Sequence, residues 1–439
     1  MTNADEYCVR EPQKIPESYQ SLSPTRCDRG KLRNHVSADA VVIGAGVTGS
    51  TLAVHLSEAG KSVVQLEASV PGWGGSGRAF GSVVPCHKNS EDAILRYYGK
   101  ARGNQIIDAY AHGPVLVSEL LTRHKIQAEI QGGGWAYGAH TKAYEKKLKD
   151  RAVYLQSRGA DVEYLNAHDF AKVTGSSYYR AGIIDRRALS IIPLEYCKGL
   201  FNAAQELGTS QFVESPAIEV TKNKDGSWTV RTPEGSASAE NIYFCTNAYT
   251  KGIWPRLDKG FVRVRGWGAT TSKIDSDLLA EILPQNHFIT DTRHLWSGIR
   301  KLPNGQLHLG IGGPSMRLSG KADLKTATER LIDVYPALKK VNWHEGWSGW
   351  IAISLDQFPR ILQLADGVWA AQGYSGRGLA MSTLLGKELS GCGDNAKSND
   401  QIFPVERIPR IPFHKFAPLG AAMLISWYGL MDRFALRKR

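Results

Sequence analysis

The 439 residues carry 54 Lys and Arg against 42 Asp and Glu, a formal net charge of +12, with 42% apolar and 22% charged residues. Such a balance excludes a disordered or fibrous chain, and the length predicts more than one domain. No run reaches the roughly 18–20 apolar residues that span a bilayer, and residues 1–36 lack the apolar core of a signal peptide, so a cytoplasmic location is expected.

The cysteines (Cys8, Cys27, Cys86, Cys197, Cys245, Cys392) have no CxxC or metal-ligand spacing. They read as reduced thiols, and no metal site is expected. The positive charge raises the question of nucleic acid. Lys and Arg are scattered, however, with no aromatic-interleaved basic stripe, so no nucleic-acid partner is expected.

Residues 1–36, with Pro12, Pro16 and Pro24, read as a loosely structured arm. Residues 40–67, AVVIGAGVTGSTLAVHLSEAGKSVVQLE, then give an apolar strand, Gly44-x-Gly46-x-x-Gly49, a periodic helix, and a second strand ending in Glu67. Gly44 permits the tight turn, Gly46 lets a pyrophosphate approach the backbone, and Gly49 lets helix and strand pack closely. The helix N-terminus offers N–H groups to the anion, and Glu67 is placed to accept ribose hydroxyls. With every part in register, the pattern predicts a dinucleotide site. Gly72-Trp-Gly-Gly-Ser-Gly-Arg78 adds a second glycine-rich turn where a plain NAD domain would begin a helix.

Further along, Ser90–Lys125 reads as helical with a break near Gly113-Pro114, and Gly132-Gly-Gly-Trp135 opens a strand. Helices follow over Thr141–Arg158 and Leu194–Leu207. Strands Ile218–Lys222 and Trp228–Thr232 flank an Asp-Gly turn, and Ile242–Cys245 runs into Thr246. A β-rich block comprises Phe261–Ser272, His287–Thr290, Leu295–Lys301 and Gln306–Gly310, the last two joined by Asn304-Gly305. Partial alternation predicts a sheet with one covered face. Val368–Ala371 leads to Gly373-Tyr-Ser-Gly-Arg-Gly-Leu379 and a helix over Ala380–Leu389, whose N-terminus could stabilise negative charge. Phe416–Leu436 is apolar, broken by Gly420 and Gly429, and followed by Arg437-Lys438-Arg439. It fits a helix docked on the protein or one lying on anionic lipid, which would make the chain peripheral on the inner membrane surface.

An N-terminal ribose-pyrophosphate site with a C-terminal glycine loop opening a helix resembles the D-amino-acid-oxidase-like family of FAD oxidoreductases. Within it the chain looks most like the branch containing gamma-glutamylputrescine oxidase, with monomeric sarcosine oxidase a more distant relation. The resemblance covers residues 37–392 and includes GWGGSGR (72–78), IIPLEYCKGLFNAAQELG (191–208), FCTNAYT (244–250), WSGWIAISLDQFPRI (347–361) and GYSGRGLAMS (373–382). It implies an α/β FAD-binding, glutathione-reductase-like Rossmann domain (37–100, 160–255, 345–400). Interleaved with it is an α+β substrate domain containing an antiparallel sheet (101–159, 256–344), and a tail follows over 401–439. The implied activity is oxidation of the C–N bond of a secondary amine or amino acid to an imine by hydride transfer to flavin, reoxidised by oxygen. A membrane-associated dehydrogenase passing electrons to quinone is the alternative, and a tRNA-modifying flavoprotein a third.

The resemblance implies FAD contacts at Gly44, Gly46, Val47, Thr48, Gly49, Glu67, Ala68, Gly74, Ser76, Gly77, Arg78, Ala217, Thr246, Gly373, Gly376, Arg377, Gly378 and Leu379. The flavin should be noncovalent, because Gly346–Ser354 lacks the cysteine that sarcosine oxidases use. Arg78 would polarise the flavin or bind the pyrophosphate, and Arg377 replaces a histidine of many relatives. His308 occupies the place of an oxygen-activating lysine, where a histidinium could serve, or it is an ordinary strand histidine. Arg300 and Arg265 could bind a distal carboxylate. Trp267, Trp296, Trp350 and Tyr374 could line the substrate pocket. Ala380 stands where a substrate-binding lysine is found, which argues against sarcosine itself.

Overall fold

A computed structural model describes residues 14–130, 132–312, 321–393 and 401–437. The first 13 residues of the expected arm and the closing Lys438-Arg439 lie outside the described residues. In chain order, β1 (Ala40–Ile43), α1 (Val47–Glu58) and β2 (Val63–Leu66) form the dinucleotide unit, followed by α2 (Glu91–Tyr98) and α3 (Lys100–Arg123). Next come β3 (Trp135–Ala139), β4 (Val162–Asn166), β5 (Ala181–Asp185), α4 (Pro193–Glu206), β6 (Ser210–Phe212) and β7 (Asn241–Phe244). The β-rich block is β8 (Val262–Thr271), β9 (Phe288–Asp291), β10 (Ser297–Lys301) and β11 (Leu307–Gly312), followed by α5 (Lys321–Val334) and β12 (Trp343–Ile353). The chain closes with β13 (Arg360–Ala365), β14 (Val368–Gln372), α6 (Gly378–Ser390), β15 (Val405–Glu406) and α7 (Ala417–Arg437).

Two large sheets organise these elements. A seven-stranded sheet runs β6-β2-β1-β7-β14-β13-β15, parallel throughout except between β13 and β14. The buried faces of β1, β2 and β7 explain their near-continuous apolar sequences. α1, α3, α4 and α6 cover one side, joining Leu52, Ile106, Tyr110, Leu200 and Leu385 into the main core. The second sheet has eight strands, β12-β8-β11-β10-β9-β3-β5-β4, antiparallel except between β9 and β3.

Several expectations are corrected. The long helical stretch breaks at Gly99 (φ +77°), not at Gly113-Pro114. Pro114 stays inside α3, and Gly113 marks where α3 passes α6, since a Cβ there would meet the Ala380 Cβ at 3.0 Å. Burial of α3 in the main core outweighs the hydrogen bond that Pro114 cannot donate. α3 thus packs with the cofactor sheet, while β4 and β5 complete the eight-stranded sheet, so sheet membership crosses the expected boundaries. That sheet is also buried on both faces: Leu307, Leu309 and Ile311 pack with Leu331 and Val334 of α5, and the alternate residues face inward over the site.

Residues 14–36 are not a loose arm. His35–Ser37 pairs with Ser236–Ser238 in a small sheet, and Tyr19, on the helical turn Glu17–Gln20, is fully buried. The Glu345 carboxylate fixes that turn by accepting from the Glu17 N–H at 3.0 Å and the Ser18 N–H at 2.6 Å.

Candidate active site

A continuous cavity of about 2720 Å³ runs between the two sheets, bounded by the glycine turn of β1, the 72–78 turn, the loop before α6 and the inner face of the eight-stranded sheet. Typical small-ligand pockets occupy roughly 300–1,000 Å³, so there is room for a long dinucleotide and a second ligand.

Its nucleotide end follows from local backbone chemistry. Gly44 turns the chain at φ +109°, and a Cβ on Gly49 would stand 2.0 Å from the Gly44 carbonyl oxygen. The Val47 N–H donates to Ser76 Oγ at 3.1 Å, and a Cβ on Gly46 would meet that oxygen at 2.8 Å. The helix end, the bare Gly46 backbone and the serine form a cradle that a side chain would fill. Glu67 accepts from the Ala45 N–H at 2.7 Å and the Ser69 N–H at 2.9 Å, keeping lone pairs for hydroxyls in the cavity. Burial pushes its carboxyl above the ordinary range, against the pull of those amides.

Of the other residues expected at the cofactor, Thr48, Ala68, Gly74, Ala217, Thr246, Gly376, Arg377, Gly378 and Leu379 border the cavity. Val47, Gly49, Gly77 and Gly373 do not, and shape the turns instead: a Cβ on Gly77 would stand 2.2 Å from the Gly72 carbonyl oxygen, and Gly373 turns the chain at φ +84°. The Gly373 N–H donates to Asn247 Oδ1 at 3.1 Å, a contact by a residue the sequence reading had not singled out. These residues fit a dinucleotide flavin.

Arg78 borders the cavity with Nε on the Trp73 carbonyl at 2.8 Å and Nη1 on the Lys14 carbonyl at 3.1 Å. Arg377, the residue before α6, lies over the Trp135 ring at 5.0 Å. Trp267, Trp296 and Trp350 all border the cavity. Tyr374 also reaches it, and its hydroxyl bonds Thr48 Oγ1 at 2.7 Å, tying the two glycine loops together.

The two candidate arginines separate. Arg300 is buried behind the wall, not in it: Nη1 donates to Ser190 Oγ (3.1 Å) and the Ile191 carbonyl (2.7 Å), Nη2 to the Tyr19 hydroxyl (2.8 Å). It pairs with no carboxylate among the described residues. Arg265 borders the cavity, over the Trp350 ring at 4.6 Å, with Nη1 on Ser348 Oγ at 3.0 Å and a buried Nε that has no hydrogen-bond partner among the described residues.

His308 faces the cavity, opposite in direction to Leu307 and Leu309, as a residue acting there must. Burial, then the Arg300 guanidinium beside it, hold the imidazole well below its ordinary pKa, so it is neutral. Nδ1 lies 2.9 Å from the Tyr19 hydroxyl and 3.4 Å from Arg300 Nε, Trp347 stacks on the ring, and Nε2 has no hydrogen-bond partner among the described residues. Arg300, one layer behind it, is a permanent cation. Tyr19, its phenol pushed up to about 12 by burial, links the two, and no sequence signal in the proline-bearing arm pointed to it.

This fold and this site define a flavin-dependent oxidoreductase. The profile of the FAD dependent oxidoreductase (DAO) family matches residues 39–391, and the chain belongs to that family. It is 26% identical over 416 residues to the gamma-glutamylputrescine oxidoreductase of Escherichia coli (strain K12), covering 92% of this chain and 95% of that protein. It is 24% identical to the glycine oxidase of Bacillus licheniformis, covering 80% and 92%. The structure of L-proline dehydrogenase from P. horikoshii superposes with a TM-score of 0.68 at 17% identity, covering 82% of this chain and 94% of that one. Among the described residues no helix is long and apolar enough to cross a membrane.

Proposed function

We propose that this chain oxidises the C–N bond of a secondary amine or amino acid bearing a carboxylate, using noncovalent FAD and releasing an imine that hydrolyses. The observation that carries this reading is Arg265, a half-satisfied guanidinium 4.6 Å from the centre of the Trp350 ring in a cavity walled by Trp267 and Trp296. A carboxylate can complete its donor set with two parallel charged bonds. The family's FAD, when bound, supplies the hydride acceptor.

The protein's part is positioning and electrostatics. Arg265 orients the acid end of the substrate, and the tryptophans exclude water around the C–H bond. Arg300 acts through neutral His308 as a fixed positive field favouring negative charge in the cavity, on reduced flavin or on oxygen as it is reduced. Noncovalent attachment is supported by the absence of cysteine from Gly346–Ser354. Oxygen is the acceptor in this reading. A quinone acceptor is the second reading, favoured by the apolar wall that α7 gives the cavity mouth.

Purified protein should be yellow, and a panel of amines followed by anaerobic bleaching of the flavin identifies the substrate class. Colourless protein unable to take up FAD, or bleaching only by amines without a carboxylate, would overturn the proposal. Peroxide formed in step with turnover in air assigns the acceptor as oxygen.

A further inference from the structure

The two faces of α7 are unlike. Ala417, Ala421, Ile425, Tyr428 and Asp432, spaced three and four apart, face the protein, and the first four border the cavity. Asp432 is the anchor. It is buried and accepts from the His294 N–H at 2.9 Å and the Leu295 N–H at 3.0 Å, with Arg330 at 3.8 Å. The opposite stripe, Leu419, Met423, Trp427, Leu430 and Phe434, keeps the same helical spacing and is 43–67% exposed. Five large apolar side chains exposed along one helix are more than scattered surface apolarity.

Charge selects the occupant. From residue 407 to the end, Asp432 is the only acid, and the basic residues are Arg407, Arg410, Lys415, Arg433 and 437–439. Two copies meeting through this stripe would bring like charges together, whereas anionic headgroups complement them. We propose that the outer face of α7 lies in the plane of an anionic bilayer, about 31 Å of helix, with its inner face still forming the cavity mouth. Docking would set that mouth against the headgroups, so that an apolar ligand could enter from lipid. The proposal stands apart from the amine-oxidising reading, because a flavin-loaded enzyme without lipid affinity would sink this inference alone.

The test is co-sedimentation of the full-length holoenzyme with phosphatidylcholine vesicles, with and without phosphatidylglycerol. Binding should require the anionic lipid. Met423→Glu with Trp427→Glu should lower partitioning at least about tenfold, leaving flavin absorbance and melting unchanged. Independently, vesicles with brominated acyl chains should quench part of the tryptophan fluorescence, a component lost in Trp427→Phe. No partitioning at low salt, equal binding to neutral vesicles, or a lipid-free dimer that the double substitution dissolves would each overturn the proposal.

Discussion

Replacing Arg265 tests the substrate reading most directly. The guanidinium is buried, braced by Ser348 and over the Trp350 ring at 4.6 Å, so its position is held before any ligand arrives. A hydrogen bond to a charged group contributes about 1.5–3 kcal/mol. Two such bonds, partly replaced by water in the variant, amount to about 3–4 kcal/mol, a loss of about 10²–10³ in the second-order rate of flavin reduction. Arg265→Gln should show that loss in anaerobic stopped flow. Arg265→Lys should recover about tenfold at most, because a point charge lacks the planar fork that Ser348 and Trp350 hold. The decisive comparison pairs an amino acid with its methyl ester: the variant should penalise the acid and barely affect the ester. Equal losses for both, with melting unchanged, would refute the assignment and return Arg265 to a structural role.

Glu67→Ala removes the acceptor for the Ala45 and Ser69 N–H groups and should weaken FAD binding at least about tenfold, read by flavin content after gel filtration; full retention of flavin would contradict the site. Arg300→Met should slow flavin reoxidation by oxygen about 10²-fold while substrate reduction changes little, and the wild-type reoxidation rate should be flat from about pH 6 to 9 because a guanidinium does not titrate there. A fall in that rate through the histidine range would restore the imidazolium reading. Burial holds His87, His140 and His287 down at about 4 in the folded protein. Their folded pKa values lie below the unfolded value, so their contribution is complete above about pH 6.5 and is lost as pH falls toward 4. Each adds up to about 1.4 kcal/mol per pH unit to acid destabilisation, and chemical unfolding at pH 7, 6 and 5 should show it, with a shallower slope in His140→Gln.

The cofactor end was legible because it is local chemistry. A turn after β1, a close approach at Gly49 and an acid after β2 each depend on neighbours in sequence. The catalytic end was not, and the hairpin between β10 and β11 shows why. Taking Asn304-Gly305 as a two-residue turn would set Arg300 opposite Leu309. The structure closes with three residues, 303–305, with Gly305 at φ +83°, and sets Arg300 opposite His308 on the inward face. One residue of loop length decides which face a side chain takes, and residue spacing along a strand cannot reveal which face will meet the cavity. Tyr19 was out of reach for a different reason. Its hydroxyl meets the Ala79 carbonyl and two side chains on strands far along the chain, and a lone tyrosine among prolines carries no periodicity.

That same tyrosine links the site to the order in which the chain is made. Tyr19 is separated from His308 by 289 residues and from Arg300 by 281. At roughly 5–20 residues per second on the ribosome, its partners appear about 15–60 s after it does. Closing such a loop costs about 5 kcal/mol beyond a length-independent constant, which the buried turn at Glu17–Gln20 must offset once both strands are in place. A segment made long before its partners is thus among the last to be seated. A fusion or truncation at the N-terminus would act on the redox site, even though it lies far from it in sequence.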